Sequence, residues 1–540
     1  MTKRTYKSGQ NRDQASFLPP RIEDYVGPEN PVRAIEAYVA SLDVIGLGFR
    51  DVGSEGGAGQ PPYDPGDLLK LYLYGYLNQV RSSRRLECEA RRNLEVMWLL
   101  RGLRPGYRTI ADFRKNNPAA LKAANRAFVR LAGKLGLLGG SLVAIDGAFF
   151  HGDASKVSIA TSKRLQEQLA ALDRSIEEYG AALEANDKAD DAAAASSPSR
   201  PQRPAAAIAE ELAALRERRA ATAADLARLD ESGQTQLSRT DPDARLLSKH
   251  GQIVSGYNVQ IAVDDKHKLI VASEVVNDGN DTGQLHAMAQ AAKQALGAEA
   301  LTALADAGYY NAETLKACEA EAITAFVPPP DRSQRLKAQG RFSLEDFRYD
   351  ATADLYRCPA GAALRPMQGL KRQAGGKLAI RYASRRAECR VCPLRQRCLA
   401  RRGNRREIER WVHEDVIDRH RARMQAGGEA MMRRRKALAE HPFGTLKCRA
   451  GYRHFLLRGF DKVRGEWSLM ALCYNFTRLL NILGLDKFRL SLAMCRANSS
   501  NLRRQAITGV IRRLPTSLAR ALAQISRNAV DGQSHLSYAS

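Results

Sequence analysis

From residue 141 to 327, short apolar segments rich in β-branched residues alternate with helix-length runs, and two of these segments carry an aspartate. Ser141–Phe150 (SLVAIDGAFF) reads as a buried strand around Asp146. Tyr257–Val263 (YNVQIAV) and Leu269–Val276 (LIVASEVV) are joined by Asp264-Asp265 and a lysine-histidine turn, which predicts a β-hairpin. A helix is expected from about Asp281 to Leu296, a strand over Leu301–Ala305, a helix over Ala312–Glu321 and a strand over Ile323–Val327. Strands that alternate with helices in this way define a mixed α/β core.

Residues 1–140 read as helical. Pro31 opens an amphipathic run through Val32, Ile35, Val39 and Leu42, and Asp64-Pro65 opens another through Leu68, Leu69, Tyr72 and Tyr76. Ser82-Ser83 predicts the cap of a third helix, Arg84–Leu94, and a fourth holds Thr109 and Phe113 and ends near Asn117-Pro118. A helix-turn-helix and an ordinary bundle both fit this pattern. The core then divides into 141–162, 241–327 and 428–484, with helix resuming at Glu429. Within 163–240, Leu165, Leu169, Leu172, Ile176, Tyr179 and Leu183 alternate spacings of four and three. Ile208, Leu212, Leu215, Thr222, Leu226 and Leu229 continue the rhythm, with Arg219 at one seam position. The two arms flank SSPSRPQRP, which no helix crosses, so an antiparallel coiled-coil hairpin is expected. Residues 328–427 form a basic insertion with four cysteines, and 485–540 a basic, partly helical tail.

Charge narrows the function. Lys and Arg number 84 against 59 acids, a formal net charge of +25. From His441 to Ser540 there are 16 Lys/Arg and 4 Asp/Glu, so +12 of that sits in foldable sequence; this points to a phosphate-binding surface and a nucleic-acid partner. No apolar run approaches the roughly 18–20 residues of a spanning helix, and the opening residues lack an apolar signal region. Nine cysteines, an odd set bunched late, suit a reducing interior; a cytoplasmic protein without membrane or small-molecule partners is expected.

An aspartate within LVAIDGAFF is costly unless paired, metal-bound or placed at a cleft. Asp306 in LTALADAGYYN repeats the situation at a strand end, where α/β sites are built, although helix capping explains one such residue equally well. Glu440 follows Lys436 by four residues and precedes Lys447 by seven, which puts a carboxylate between two cations on one helical face. Pro442 and Gly444 predict a bend just after it. Three carboxylates from two strands and a helix suit Mg²⁺ or Mn²⁺, two of which, about 4 Å apart, drive phosphodiester chemistry.

IDGAFF, ADAGYYN and especially EHPFGTLK followed by GYRHFLLRGFDKVRGEWSLMALCYNFTRLLNILG resemble the DDE transposases of bacterial insertion sequences, and so does YDPGDLLKLYLYGYLNQVRSSRRLE in the helical region. The resemblance implies an RNase H-like fold and a metal-binding triad of Asp146, Asp306 and Glu440. It also implies binding and cleavage of the element's inverted-repeat ends and transfer of the 3′-OH to target DNA. Two ends cut and joined together imply a homodimer on double-stranded DNA, in a bacterial cytoplasm at the nucleoid. Related families carry a Tyr-Arg-Glu-Lys signature around the glutamate. Here Glu440 and Lys447 match it, while Arg433 stands in the tyrosine place and Lys436 in the arginine place. Arg433, Lys436, Lys447 and Arg449 are candidate DNA contacts, as is Arg245, whose TDPDAR segment is similar to one in the same family. An Asp-Pro turn with local ion pairs is the other reading of Arg245.

Cys358, Cys389, Cys392 and Cys398 are spaced C-x30-C-x2-C-x5-C, which is adequate for a structural zinc; reduced buried thiols fit the same spacing. The residues leave open a metal-dependent nuclease without strand transfer, or a non-catalytic DNA-binding protein on the same scaffold.

Overall fold

A computed structural model describes residues 21–50, 61–193, 205–249, 251–331, 333–373, 376–400 and 403–495. The chain divides into two compact units, 1–128 with 468–540, and 129–467.

The first unit is helical in its described N-terminal part. Helices Val32–Ala40, Pro65–Leu77, Ser83–Arg92, Leu94–Leu99 and Tyr107–Asn116 follow one another. As the Asp-Pro pair predicts, Asp64 caps the second of these, its carboxylate accepting from Gly66 N at 2.7 Å with Pro65 at the first helical position. That helix is covered on every side from Pro65 to Tyr76, so its buried charges are paired: Asp67 holds Lys70 at 3.0 Å and Arg101 at 2.6 Å. Ser82 precedes the next helix but its side chain makes no capping bond. Asn93 instead ends that helix and caps the one after, accepting from Glu95 N and Val96 N.

The second unit is built on a six-stranded sheet. Its order is Arg245–Lys249, Gln252–Asp264, Leu142–His151, Leu301–Leu304, Ile323–Phe326, with Ile270–Val276 also paired to Gln252–Asp264. The central strand Leu142–His151 runs antiparallel to Gln252–Asp264, with Asp146 opposite Ile261 and Gly147 opposite Gln260. It runs parallel to Leu301–Leu304, which is parallel to Ile323–Phe326. The expected hairpin forms, Asn258 facing Val276.

Side chains alternate between the faces of a strand, and that parity organises the core. Val143, Ile145, Ala303 and Ala305 pack on one side against the helices Gln284–Leu296 and Ala312–Ala320. Leu142, Ala144 and Leu304 pack on the other against Leu438 and Ala439 of the long helix Glu414–Gly444. Asp146 and Asp306 continue the second set.

Three expectations are corrected. The long helix begins at Glu414 rather than Glu429, passing through Gly427-Gly428, where Gly428 is buried against Met424. It also passes through Pro442 to Gly444; the irregularity comes later, as a π-helical turn over Thr445–Arg449. Finally, Asp281 does not open a helix, which starts at Gln284.

Two long helices, Ser162–Ala193 and Ala205–Ser232, pack antiparallel with Leu165 against Leu229 and an Arg219–Asp173 ion pair at the seam. The SSPSRPQRP tip lies outside the described residues. Residues 348–411 contain a second, five-stranded antiparallel sheet ordered Glu407–Trp411, Leu378–Ala383, Ala363–Arg372, Leu355–Arg357, Arg348–Asp350. Of the tail, residues 485–495 are helical and 496–540 lie outside the described residues.

Candidate active site

Two of the three carboxylates meet. Asp146 sits mid-strand on the face covered by the long helix, and Asp306 follows the neighbouring parallel strand by two residues. Both reach one cation. Arg435 Nη2 donates to Asp146 Oδ1 at 2.6 Å and to Asp306 Oδ2 at 3.3 Å. Asp146 and Arg435 are mostly covered, and Asp306 is about one third exposed (36%). Each aspartate is further fixed by nearby backbone: Gly147 N donates to Asp146 Oδ1 at 3.0 Å and Gly308 N to Asp306 Oδ1 at 2.9 Å. Asp306 thus also caps the short 3₁₀ turn Ala307–Tyr309.

Helical spacing explains why Arg435 reaches the aspartates. Arg435, Leu438 and Ala439 fall at i, i+3 and i+4, one face, and Leu438 and Ala439 are buried on the sheet. Lys436 and Glu440 share a different face, and both are exposed. The structure therefore brings Asp146 and Asp306 together and leaves Glu440 on the solvent side of the same helix. Among the described residues, no group of three or more His, Cys, Asp or Glu side chains is arranged to hold a metal ion. The pair still fits a hard cation in its chemistry: two carboxylates from adjacent strands share a single positive group at hydrogen-bonding distance.

Beneath the pair lies a buried polar network that sequence reasoning missed. Asn258 and Gln260, two apart on the hairpin strand and both fully buried, donate to Asp281 Oδ1 at 2.8 and 2.7 Å. Tyr309 donates its hydroxyl to Gln260 Oε1. Burial, reinforced by the negative charges of Asp281, Asp146 and Asp306, holds the Tyr309 phenol well above its usual pKa. The network needs Gly147: a Cβ there would lie 2.4 Å from Gln260 Nε2 and 2.8 Å from Asp281 Oδ1. The available signal was polar residues at alternate positions in YNVQIAV.

The remaining candidates fall elsewhere. Lys447 is half-buried; its Nζ donates to Phe149 O at 2.7 Å and lies 4.5 Å above the Phe150 ring. Arg433 is exposed and lies 3.6 Å from Glu429, and Arg449 is exposed in the π turn. Arg245 donates to Pro242 O at 2.6 Å, Ala244 O at 2.9 Å and Gln234 Oε1 at 2.7 Å, so its guanidinium serves the local fold. In the same segment Asp241 accepts from Tyr257 OH at 2.6 Å and Gly459 N at 2.9 Å, and Asp243 from Phe460 N at 2.8 Å; TDPDAR clasps the start of the last long helix. The His151 backbone bridges to residues 453–455, and burial, then nearby Lys156, His454 and Lys447, lowers its imidazole pKa.

Cys358, Cys389, Cys392 and Cys398 are free thiols lining one cleft of about 310 Å³ beside the second sheet, together with Ser384 and Arg406. Ser384 Oγ lies 3.0 Å from Cys389 Sγ. Burial raises the Cys398 thiol, against the nearby Arg406 charge.

Two comparisons bear on this geometry. Residues 357–480 match the family described as Transposase DDE domain, and residues 20–116 match the Transposase domain (DUF772). Both matches are to transposase domains, and together they indicate a DDE transposase of an insertion sequence. The first spans Glu440 and the four cysteines, and the second most of the helical N-terminal region. No curated protein and no solved structure matches the chain. DDE transposases are DNA-acting enzymes that generally use divalent metal ions. Among the described residues no single helix is long and apolar enough to cross a membrane.

Proposed function

We propose that the protein binds the terminal inverted repeats of its element, cuts the phosphodiester at each end and joins the freed 3′-OH to target DNA. The observation that carries this is the convergence of Asp146 and Asp306, from adjacent parallel strands, on one cationic position at the sheet's covered face. The strand order and directions around Asp146, three antiparallel strands followed by two parallel to the first, support an RNase H-like reading of the core.

In this reading Asp146 and Asp306 would hold Mg²⁺ or Mn²⁺, and Glu440, exposed on a neighbouring face of the long helix, is the third carboxylate by resemblance to DDE transposases. When bound, the ions supply activation of the attacking oxygen and stabilisation of the leaving oxygen. The protein supplies the rest. Strand pairing fixes Asp146, the Asp306–Gly308 turn fixes the second carboxylate, and the Tyr309–Gln260–Asp281 network holds both supports in place. In the same reading the exposed Arg433, Lys436 and Arg449 take DNA phosphates near the glutamate, and Lys447 and Arg245 contribute chiefly through the fold. The layout proposed for the chain is a helical DNA-binding or dimerisation region, a core interrupted by the 163–240 hairpin and the cysteine-containing insertion, and a basic tail. A homodimer on DNA joins two ends in one complex, in a bacterial cytoplasm at the nucleoid. The C-x30-C-x2-C-x5-C spacing of the four thiols and the cleft they share support a structural zinc in the insertion.

Asp146→Asn, Asp306→Asn and Glu440→Gln are expected to abolish end cleavage while leaving end binding in a gel-shift assay within a few-fold of wild type. Loss of binding or folding in all three would reject the assignment, and cleavage without joining by wild type would restrict the activity to a nuclease.

A further inference from the structure

Arg435 occupies an unusual position for a side chain that can never shed its charge. Its guanidinium is largely enclosed, with a side-chain exposure of 15%, and one nitrogen, Nη2, contacts both aspartates. Nε is buried without a hydrogen-bond partner. The head group is therefore held mainly by the two carboxylates, not locked by a wider set of bonds. Its stem rises from the helix face that Leu438 and Ala439 anchor to the sheet, so the base of the side chain is fixed while the charged end depends on the aspartates.

These same carboxylates are the proposed metal ligands. A hard divalent ion needs carboxylate oxygens at about 2.0–2.6 Å, and the guanidinium both occupies lone pairs on Asp146 Oδ1 and Asp306 Oδ2 and repels a second cation brought to the same oxygens. Two like carboxylates this close also repel each other without a cation between them. We infer that Arg435 is a displaceable counter-ion, a positioning residue that keeps Asp146 and Asp306 paired and that a divalent ion must push off before taking their oxygens. The inference rests on the metal-site reading above. It goes beyond that reading in giving the chain a built-in competitor for its own metal, which raises the concentration of metal at which the site fills.

The sign of the effect makes it testable, because damage to the fold weakens binding and does not tighten it. Mn²⁺ binding to the full-length protein is measured by the electron paramagnetic resonance of free Mn²⁺, with far-UV circular dichroism to establish folding. Arg435→Gln is expected to bind Mn²⁺ at least about tenfold more tightly than wild type, a shift of one decade in Kd. Arg435→Lys, which keeps the charge but loses the planar fork, should fall between the two. Without metal, Arg435→Gln should melt at a lower temperature, and saturating Mn²⁺ should raise its Tm more than it raises that of wild type. A folded Arg435→Gln with unchanged or weaker Mn²⁺ affinity, alongside an Asp146→Asn protein that has lost the ion, overturns the counter-ion role and leaves the metal site standing. Mn²⁺ binding that is indifferent to Asp146→Asn overturns both.

Discussion

Lys447 Nζ donates to the backbone oxygen of Phe149 at 2.7 Å and sits 4.5 Å over the Phe150 ring, three and four residues beyond Asp146 on the same strand. A cation from the π turn after the long helix thus pins the strand that carries the first aspartate. Lys447→Met should destabilise the protein by about 1–3 kcal/mol, from a charge-assisted hydrogen bond and a cation–π contact, read as a lower midpoint in urea. Lys436→Ala, on the exposed face, should change stability by less than about 0.5 kcal/mol and instead reduce the salt dependence of DNA binding by about one phosphate contact. If Lys447→Met spared stability while weakening DNA binding, the phosphate role would belong to Lys447.

The network beneath the aspartates predicts a steric sensitivity at Gly147. Gly147→Ala places a methyl within 2.4 Å of Gln260 Nε2 and 2.8 Å of Asp281 Oδ1, so the buried Gln260 amide and Asp281 carboxylate must shift. A loss of about 1–3 kcal/mol in denaturant unfolding is expected. Tyr309→Phe removes only the hydroxyl that Gln260 Oε1 accepts and should cost about 1 kcal/mol or more, since a buried acceptor is left unpaired. A neutral Gly147→Ala would mean that the strand yields there.

His420 gives the protein a pH signature away from the site. It is buried in the long helix with neither ring nitrogen hydrogen-bonded, and burial, then Arg423 and Arg421, depresses its pKa to about 4. The unfolded chain, with a histidine pKa near 6.5, takes up the proton first, so stability is present above pH 6.5 and falls as pH drops toward 4. His420→Phe should flatten the part of the pH–stability curve between about 6.5 and 4 relative to wild type. Parallel curves for the two proteins would place the acid sensitivity elsewhere.

Zinc content tests the cysteine cleft. About one zinc per chain is expected in metal-free buffer after purification, with Cys389→Ser and Cys392→Ser each releasing it and lowering Tm. A protein that holds no zinc and melts identically with and without chelator would make the four thiols a reduced cluster.

The core was legible because its strands are apolar and its helices amphipathic; the hairpin, the strands near 301–305 and 323–327, and an aspartate in or just after a strand at 146 and 306 could be read from the residues, while the parallel pairing and the aspartates' meeting could not. Nor was the partner of those aspartates legible. Lys436 and Arg435 differ by one residue, and only the burial of Leu438 and Ala439 shows which of them turns inward. Local rules also misled at Gly427-Gly428 and Pro442, where packing on the sheet and a later π turn carry the helix through residues of poor propensity. The second sheet escaped notice because most of its strands are short and its longest, Ala363–Arg372, is largely exposed, buries only Leu364 and shows no clean alternation.

The central claim is metal-dependent cutting of the element's own ends by the Asp146–Asp306 pair. Its most direct measurement is incubation of the full-length protein with a labelled duplex carrying the flanking inverted repeat, in Mg²⁺, in Mn²⁺ and in chelator, beside Asp146→Asn. Nicking at the repeat boundary that requires the metal and disappears in the variant is the predicted result. Specific binding with no cleavage under either metal would contradict the account and leave a DNA-binding protein on a transposase scaffold.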